Sequence, residues 1–259
     1  MGIIEAIILG LIQGLTEFIP VSSSGHLIVA HELFGTTEST LIFDVALHIG
    51  TVMALIIFFW KDLVGLVKSL PEKKPGGNLA RIIIVATIPA AVIGYLFSDW
   101  IDDNLRKPST VVITMLIMAI LMLVVEKYSA KKRRIKDITI KDGMNIGYAQ
   151  ALALVPGVSR SGATITAGMA SGLTRADAAR FSFLMAVPIT LGAIAGSLLG
   201  AGAGELSGKP EIFIIGILAS LISGLIAIKF LLKFLSSNSL SIFAYYRIAL
   251  ALIVFLFIL

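Results

Sequence analysis

The chain has 259 residues, 57% of them hydrophobic and only 14% charged, with a net charge of +5 and no cysteine. Soluble domains carry about 25% charged residues, so this composition, with a mean hydropathy of +0.97, excludes an extramembrane catalytic domain, a nucleic-acid module and a disordered scaffold. The missing cysteines exclude disulfides, thiolate metal sites and a cysteine nucleophile, and a positive balance in so apolar a chain marks cytoplasmic loops.

At about 20 apolar residues per crossing, the length admits roughly six to ten membrane-embedded helices. The first region, residues 3–34, is apolar but interrupted by Glu17, Pro20 and the run Ser22-Ser23-Ser24-Gly25-His26. It has neither a basic leading stretch nor a small-residue cleavage site and is expected to remain in the mature protein. Proline and glycine stop a helix, so two short helices around a polar turn are predicted, a re-entrant hairpin. An ordinary kinked span is the alternative. A span follows at Leu41–Trp60, then a basic stretch, Lys61–Arg81, with Lys61, Lys68, Lys73, Lys74 and Arg81. The next span, Ile82–Phe97, leads into a loop at Ser98–Ser109, which sets Asp99, Asp102 and Asp103 against Arg106 and Lys107. After the span Thr110–Val125 comes a second basic stretch, Glu126–Asp142, with Lys131, Lys132, Arg133 and Arg134 in a row. Residues 143–172 repeat the interrupted pattern, broken by Pro156-Gly157 and by Ser159-Arg160-Ser161-Gly162. Three more spans are predicted at Phe181–Leu199, Ile212–Phe230 and Ile242–Leu259.

The two basic stretches should face the cytoplasm, which puts the acidic stretch and both termini outside. Spans after the second hairpin then run opposite to those after the first. The predicted fold is all-α and integral to the membrane, a single domain over residues 1–259. It holds two inverted-topology repeats, each a re-entrant helical hairpin plus three transmembrane helices. Repeat one covers about 1–126, a basic cytoplasmic linker about 127–142, and repeat two about 143–259. Positions 137 apart match: Gln13 with Gln150, Leu15 with Leu152, Val21 with Val158, Ser22 with Ser159, Ser24 with Ser161 and Gly25 with Gly162. Inverted repeats with broken helices set their polar turns against each other near the bilayer midplane.

An ionised side chain at the bilayer centre costs about 2.5–3.5 kcal/mol on insertion scales, so it marks a cavity and a partner. The first hairpin offers Glu17, Ser23 and His26; the second offers Arg160 among Ser159, Ser161, Gly162 and Thr164. Helix N-termini bind anions, arginine matches phosphate oxygens with a planar fork, and a hydroxyl beside an imidazole is a nucleophile–base pair for phosphoryl transfer. The combination points to a phosphate group, held by Arg160, Ser159, Ser161, Gly162, Thr164, Ser22 and Ser24. A carboxylate repels phosphate unless a divalent cation lies between them, so Glu17 points to Mg²⁺ or Ca²⁺. Structural alternatives stand beside these roles. Glu17 pairs with an arginine across the repeat, His26 caps its turn through a backbone carbonyl, and Ser22 and Ser24 satisfy the broken helix. Asp44 and His48, one turn apart, share a helix face and read equally as a packed pair or as support behind the site. His31 and Glu32 receive no role, and Arg175, Asp177 and Arg180 are expected on a solvated inner edge.

The run Gly14-Leu15-Thr16-Glu17-Phe18-Ile19-Pro20-Val21-Ser22-Ser23-Ser24-Gly25-His26-Leu27, with Pro156-Gly157-Val158-Ser159-Arg160-Ser161-Gly162-Ala163-Thr164, closely resembles the undecaprenyl-diphosphatase family, the bacitracin-resistance phosphatases. The resemblance extends over the chain through Phe181-Ser182-Phe183, Val187-Pro188 and Tyr246-Arg247. It implies a plasma-membrane enzyme that hydrolyses undecaprenyl diphosphate to the monophosphate and inorganic phosphate, recycling the carrier for cell-wall and surface-polymer assembly. It also implies divalent-cation stimulation and a pocket open to the external face. By motif, the family's paired acidic residues fall on Gln13 and Glu17, its catalytic serine and histidine on Ser23 and His26, and its arginine on Arg160. Gln13 is an amide where members with two glutamates have a carboxylate, so it can ligate a cation without adding charge. Whether the serine or the histidine attacks phosphorus stays open. Expected partners are the polyprenyl diphosphate lipid and the membrane, with no nucleic acid and a homodimer left open. The rival class is transport: an inverted-repeat carrier or flippase for polyprenyl phosphate or another anion would use the same residues without cutting.

Overall fold

The computed structural model describes residues 1–35, 40–72, 78–200, 210–257 and 259; Lys73 and Lys74 of the first basic stretch lie outside the described residues. Every regular element among them is helical. Helix α1 spans Ile3–Phe18, α2 Ser23–Phe34, α3 Thr40–Phe58, α4 Trp60–Ser69, α5 Leu79–Leu105 and α6 Pro108–Tyr128. After one 3₁₀ turn at Ile135–Asp137 come α7 Ile140–Leu152, α8 Arg160–Ala170, α9 Arg175–Gly200, α10 Pro210–Leu235 and α11 Ser241–Phe257. Four helices among the described residues, α5, α6, α9 and α10, are long and apolar enough to cross a membrane, and the bent pair α3–α4 makes five. The protein is an integral membrane helical bundle.

Both interrupted regions are helical hairpins. α1 stops where Ile19, the residue before Pro20, turns extended at φ −65°, ψ 135°, as a residue preceding proline does. α7 opens on a capping box: Thr139 Oγ1 accepts from the Asp142 N–H, and Asp142 accepts from the Thr139 N–H at 2.8 Å. The two polar turns have one design. Ser22 and Ser159 each sit at positive φ, 76° and 74°. Each hydroxyl accepts the N–H three residues on, from Gly25 at 3.2 Å and from Gly162 at 3.1 Å, satisfying one of the four orphan donors that open a helix.

Two boundaries differ from the sequence expectation. The span expected to end at Trp60 breaks at Phe59 and turns 76° into α4, so part of the first basic loop is helix. The second span overruns its predicted end at Phe97 to Leu105, carrying Asp99, Asp102 and Asp103 on helix. Little of the acidic loop remains, because the first strong breaker is Pro108, which pushes Lys107 into extended backbone at φ −147°. Arg175, Asp177 and Arg180, expected on a solvated edge, are partly exposed and ion-paired. Arg175 holds Glu126, Arg180 reaches Asp62 at 2.5 Å, and Asp177 lies 3.6 Å from Arg134. They tie α9 to α4, α6 and the linker.

Packing brings the hairpins together. α1 lies along α10, α7 lies along α5, and α6 lies along α11. Small residues allow the close approaches. A Cβ on Gly14 would collide with Ser223 Oγ and the Ser220 carbonyl, and one on Gly147 with the Ala86 carbonyl. The main core runs from Phe18, Phe59 and Phe183 through α8 and α9 to Leu231 and Phe243. Outward faces keep large apolar side chains exposed, such as Ile88, Val92, Leu96, Ile117 and Ile226, as a lipid-facing surface requires.

Candidate active site

The end of α1 puts Glu17 on the face that meets the start of α8, where Arg160 is the first helical residue. Arg160 donates from one terminal guanidinium nitrogen to Glu17 Oε1 at 2.5 Å. The other carboxylate oxygen, Oε2, accepts the Ser23 hydroxyl at 2.5 Å and the Gln13 side-chain N–H at 3.1 Å. His48 Nε2, from α3, stands 3.8 Å from the same oxygen. One carboxylate thus collects a guanidinium from the second hairpin, a hydroxyl and an amide from the first, and an imidazole. Glu17 is 8% exposed and Gln13 fully buried. Burying one charge in apolar surroundings is expensive, and a paired, hydrogen-bonded partner offsets that cost.

Beside this cluster lies a cavity of about 230 Å³ whose polar lining is Glu17, His48, Gln150, Arg160, Thr190 and Ser197. Val45, Ala90, Leu154 and Ile194 form its apolar wall. The second terminal nitrogen of Arg160 is buried and has no hydrogen-bond partner among the described residues; the same holds for Gln13 Oε1 and for both amide atoms of Gln150. Buried polar atoms are paired in the great majority of cases, so three unpaired ones on two residues that line one hollow, Arg160 and Gln150, mark it as a binding place for a polar ligand.

Other predicted site residues fall elsewhere. No hydrogen bond joins Ser23 to His26 among the described residues. The His26 Nδ1–H donates to the Ser22 carbonyl at 2.7 Å. That leaves Nε2 of the neutral ring to accept the Tyr246 hydroxyl at 2.8 Å, with the two rings stacked 5.7 Å apart. Ser24 approaches Ser22 Oγ at 3.3 Å and accepts from the Gly157 N–H at 3.5 Å. Ser161 donates to the Ile19 carbonyl at 3.3 Å. Thr164 donates to the Arg160 carbonyl at 2.8 Å and touches Ser182 Oγ at 2.6 Å. Ser22, Ser24, Ser159, Ser161, Gly162 and Thr164 therefore bond protein groups and hold the two turns in shape. The Asp44 carboxylate does not meet His48, whose Nδ1–H instead donates to the Asp44 backbone carbonyl at 2.8 Å. It binds His31 at 2.9 Å and Arg106 at 2.7 Å, which gives the unassigned His31 a buried partner.

Arg247 on α11 is the residue that site reasoning passed over. It is fully buried, and its guanidinium donates to the carbonyls of Gly157 at 2.7 Å, Val158 at 3.1 Å, Pro20 at 3.4 Å and Met115 at 3.4 Å. One arginine thereby fastens both broken turns to each other and to α6. A lone charge inside the last apolar span was the signal available.

The model of the bacitracin resistance protein BacA family matches residues 6–253. The chain belongs to that family. Similar relatives include proteins named undecaprenyl-diphosphatase from Rubrobacter xylanophilus, 45% identical over 98% of this chain and 97% of the relative, and from Thermodesulfovibrio yellowstonii, 45% identical over 97% and 96%. Another so named, from Moorella thermoacetica, is 42% identical over 98% and 97%. The family match takes in both polar turns, the Glu17–Arg160 pair and Arg247, so the whole site lies inside the matched segment.

Proposed function

We propose that the chain is an undecaprenyl-diphosphate phosphatase, cleaving the lipid diphosphate to the monophosphate and inorganic phosphate in the membrane. The observation that carries this reading is the contact chain Ser23–Glu17–Arg160: a hydroxyl, a base and a phosphate-binding cation in direct sequence. The names of its family relatives give the same substrate. In the proposed reaction Ser23 Oγ attacks the terminal phosphorus. Glu17, already accepting the hydroxyl hydrogen, takes the proton and passes it to the bridging oxygen as the bond from that oxygen to phosphorus breaks. The lipid leaves as its monophosphate. Water then attacks the phosphoserine, the phosphorus–Oγ bond breaks, and a water proton returns through Glu17 to Ser23 as inorganic phosphate departs. The free guanidinium nitrogen of Arg160 stabilises charge on the phosphoryl oxygens throughout, and the apolar wall at Leu154 and Ile194 suits the start of the prenyl tail.

Gln13 Oε1, a buried acceptor with no partner beside Glu17, fits a hard cation, which takes oxygen ligands and substrate phosphates. Glu17 and Gln13 are the residues that would hold Mg²⁺ or Ca²⁺, and the ion when bound would offset diphosphate charge. The exchanged pairing of α1 with α10 and α7 with α5 supports the inverted-repeat reading. Basic residues gathered at α4, the linker and the start of α9, with the cavity lined by Ile189, Thr190, Ile194 and Ser197 in the far half of α9, support an active site that opens to the external face.

Quenching the purified protein with phosphate-labelled polyprenyl diphosphate tests the reaction. Label on Ser23, and loss of phosphate release in Ser23→Ala, are the expected results. An acid-labile phosphohistidine at His26 would overturn the nucleophile, and binding without release would return the protein to the transport class.

A further inference from the structure

Gln150 lies on α7 where Gln13 lies on α1, 137 residues apart, yet the two amides have different fates. In the first repeat the residue four further on is Glu17, which accepts the Gln13 amide at 3.1 Å. In the second repeat that position is Leu154, an apolar wall residue of the cavity. Among the described residues the Gln150 amide has no partner for its nitrogen or its oxygen, although the residue is only 2% exposed. It lines the same cavity as Arg160, whose second terminal nitrogen is also unpaired. Leaving both ends of an amide buried and unpaired destabilises the folded protein, whereas an apolar side chain of similar size would not. Functional sites are where such local cost is found.

We infer that Gln150 is a substrate-binding residue: its side-chain N–H donates to an oxygen of the diphosphate that Arg160 holds, on the lipid-proximal side of the cavity. This rests on the phosphatase reading and adds to it a residue that the matched family motifs did not single out for chemistry. Two neighbouring donors explain the arrangement. The diphosphate is rich in acceptors and has no hydrogen to donate at full ionisation, so two residues lining one hollow, each with an unpaired donor nitrogen, suit it. The carboxylate that the first repeat carries at the corresponding place would repel it. Leu154 keeps that charge away and begins the apolar surface for the tail.

The test is steady-state hydrolysis of farnesyl diphosphate in detergent by wild type, Gln150→Leu and Gln150→Glu, with thermal unfolding of each. Gln150→Leu is expected to raise KM about tenfold or more, with a smaller change in kcat, while its melting temperature stays level or rises because the unpaired amide is gone. Gln150→Glu should bind more weakly still, since it places a second anion facing the phosphate. A wild-type KM in Gln150→Leu would overturn the inference, as would a fall in melting temperature with KM unchanged, which is the mark of a packing residue. A wild type that releases no phosphate from any polyprenyl diphosphate overturns the phosphatase reading and this inference with it; normal hydrolysis by wild type with an unaffected Gln150→Leu overturns this inference alone.

Discussion

Before α2, Ser22 holds φ 76° and accepts the Gly25 N–H at 3.2 Å; before α8, Ser159 holds φ 74° and accepts the Gly162 N–H at 3.1 Å. Their neighbours differ in three chemically important places. Ser23 in the first turn corresponds to Arg160 in the second, Glu17 to Leu154 and His26 to Ala163. A duplicated backbone device thus presents a nucleophile and a base from one side and a cation from the other. Two identical turns would bring like groups together: paired carboxylates that repel, or paired guanidinium groups without counterions. Divergence at three positions lets the two halves complete one another.

The largest expected effect comes from removing the guanidinium that pairs with Glu17. Arg160→Ala takes away both the phosphate contact and the partner of Glu17, and should cut phosphate release by about a thousandfold or more. Arg160→Lys should recover only part of that, because an ammonium cannot bridge Glu17 and phosphate with separate fork nitrogens. Turnover by purified protein decides it, and wild-type-like rates from Arg160→Ala would show that the turns do not divide the chemistry.

Next comes the residue that serves both turns at once. Arg247→Met keeps most of the apolar stem but strips the donors from buried carbonyls at Pro20, Gly157 and Val158. Unpaired buried acceptors cost about 1–3 kcal/mol each, so a loss of about 3 kcal/mol or more is expected, read as a lower melting temperature in detergent together with lost activity. Full stability in this variant would mean that each turn stands without the tie.

Much of this arrangement was legible beforehand. The spans came from hydropathy, and the hairpins from Pro20, Pro156 and Gly157. The meeting of Glu17 with Arg160 followed from the cost of leaving either charge alone at depth. What escaped detection depends on contacts distant in sequence or on weak local signals. The bend at Phe59 has no proline or glycine beside it. Asp99, Asp102 and Asp103 look like loop because they are charged, yet a helix leaving the apolar layer tolerates charge on its last turns. Ser23 was expected to bond His26, three residues on, but the helix start aims its hydroxyl back at Glu17 while Tyr246, from the far end of the chain, takes the imidazole. In the sequence Gln150 stands only as the counterpart of Gln13; its unpaired amide emerges from which side chains surround it.

The smallest effect gives the sharpest comparison, because it asks whether the two backbone devices carry equal energy. Ser22→Ala and Ser159→Ala each delete a hydroxyl that caps a helix, a loss of about 1 kcal/mol apiece. Alanine must also keep a positive φ that only glycine adopts freely, so the measured loss should exceed that of the corresponding Ser→Gly variants, which relieve the backbone and lose only the cap. Equal melting shifts at the two sites, with glycine milder than alanine at both, are expected from the matched angles and distances. A large shift at Ser159 beside none at Ser22 would mean that Ser24, with its reach to Gly157, already holds the first turn, and that the duplication is geometric without being energetic.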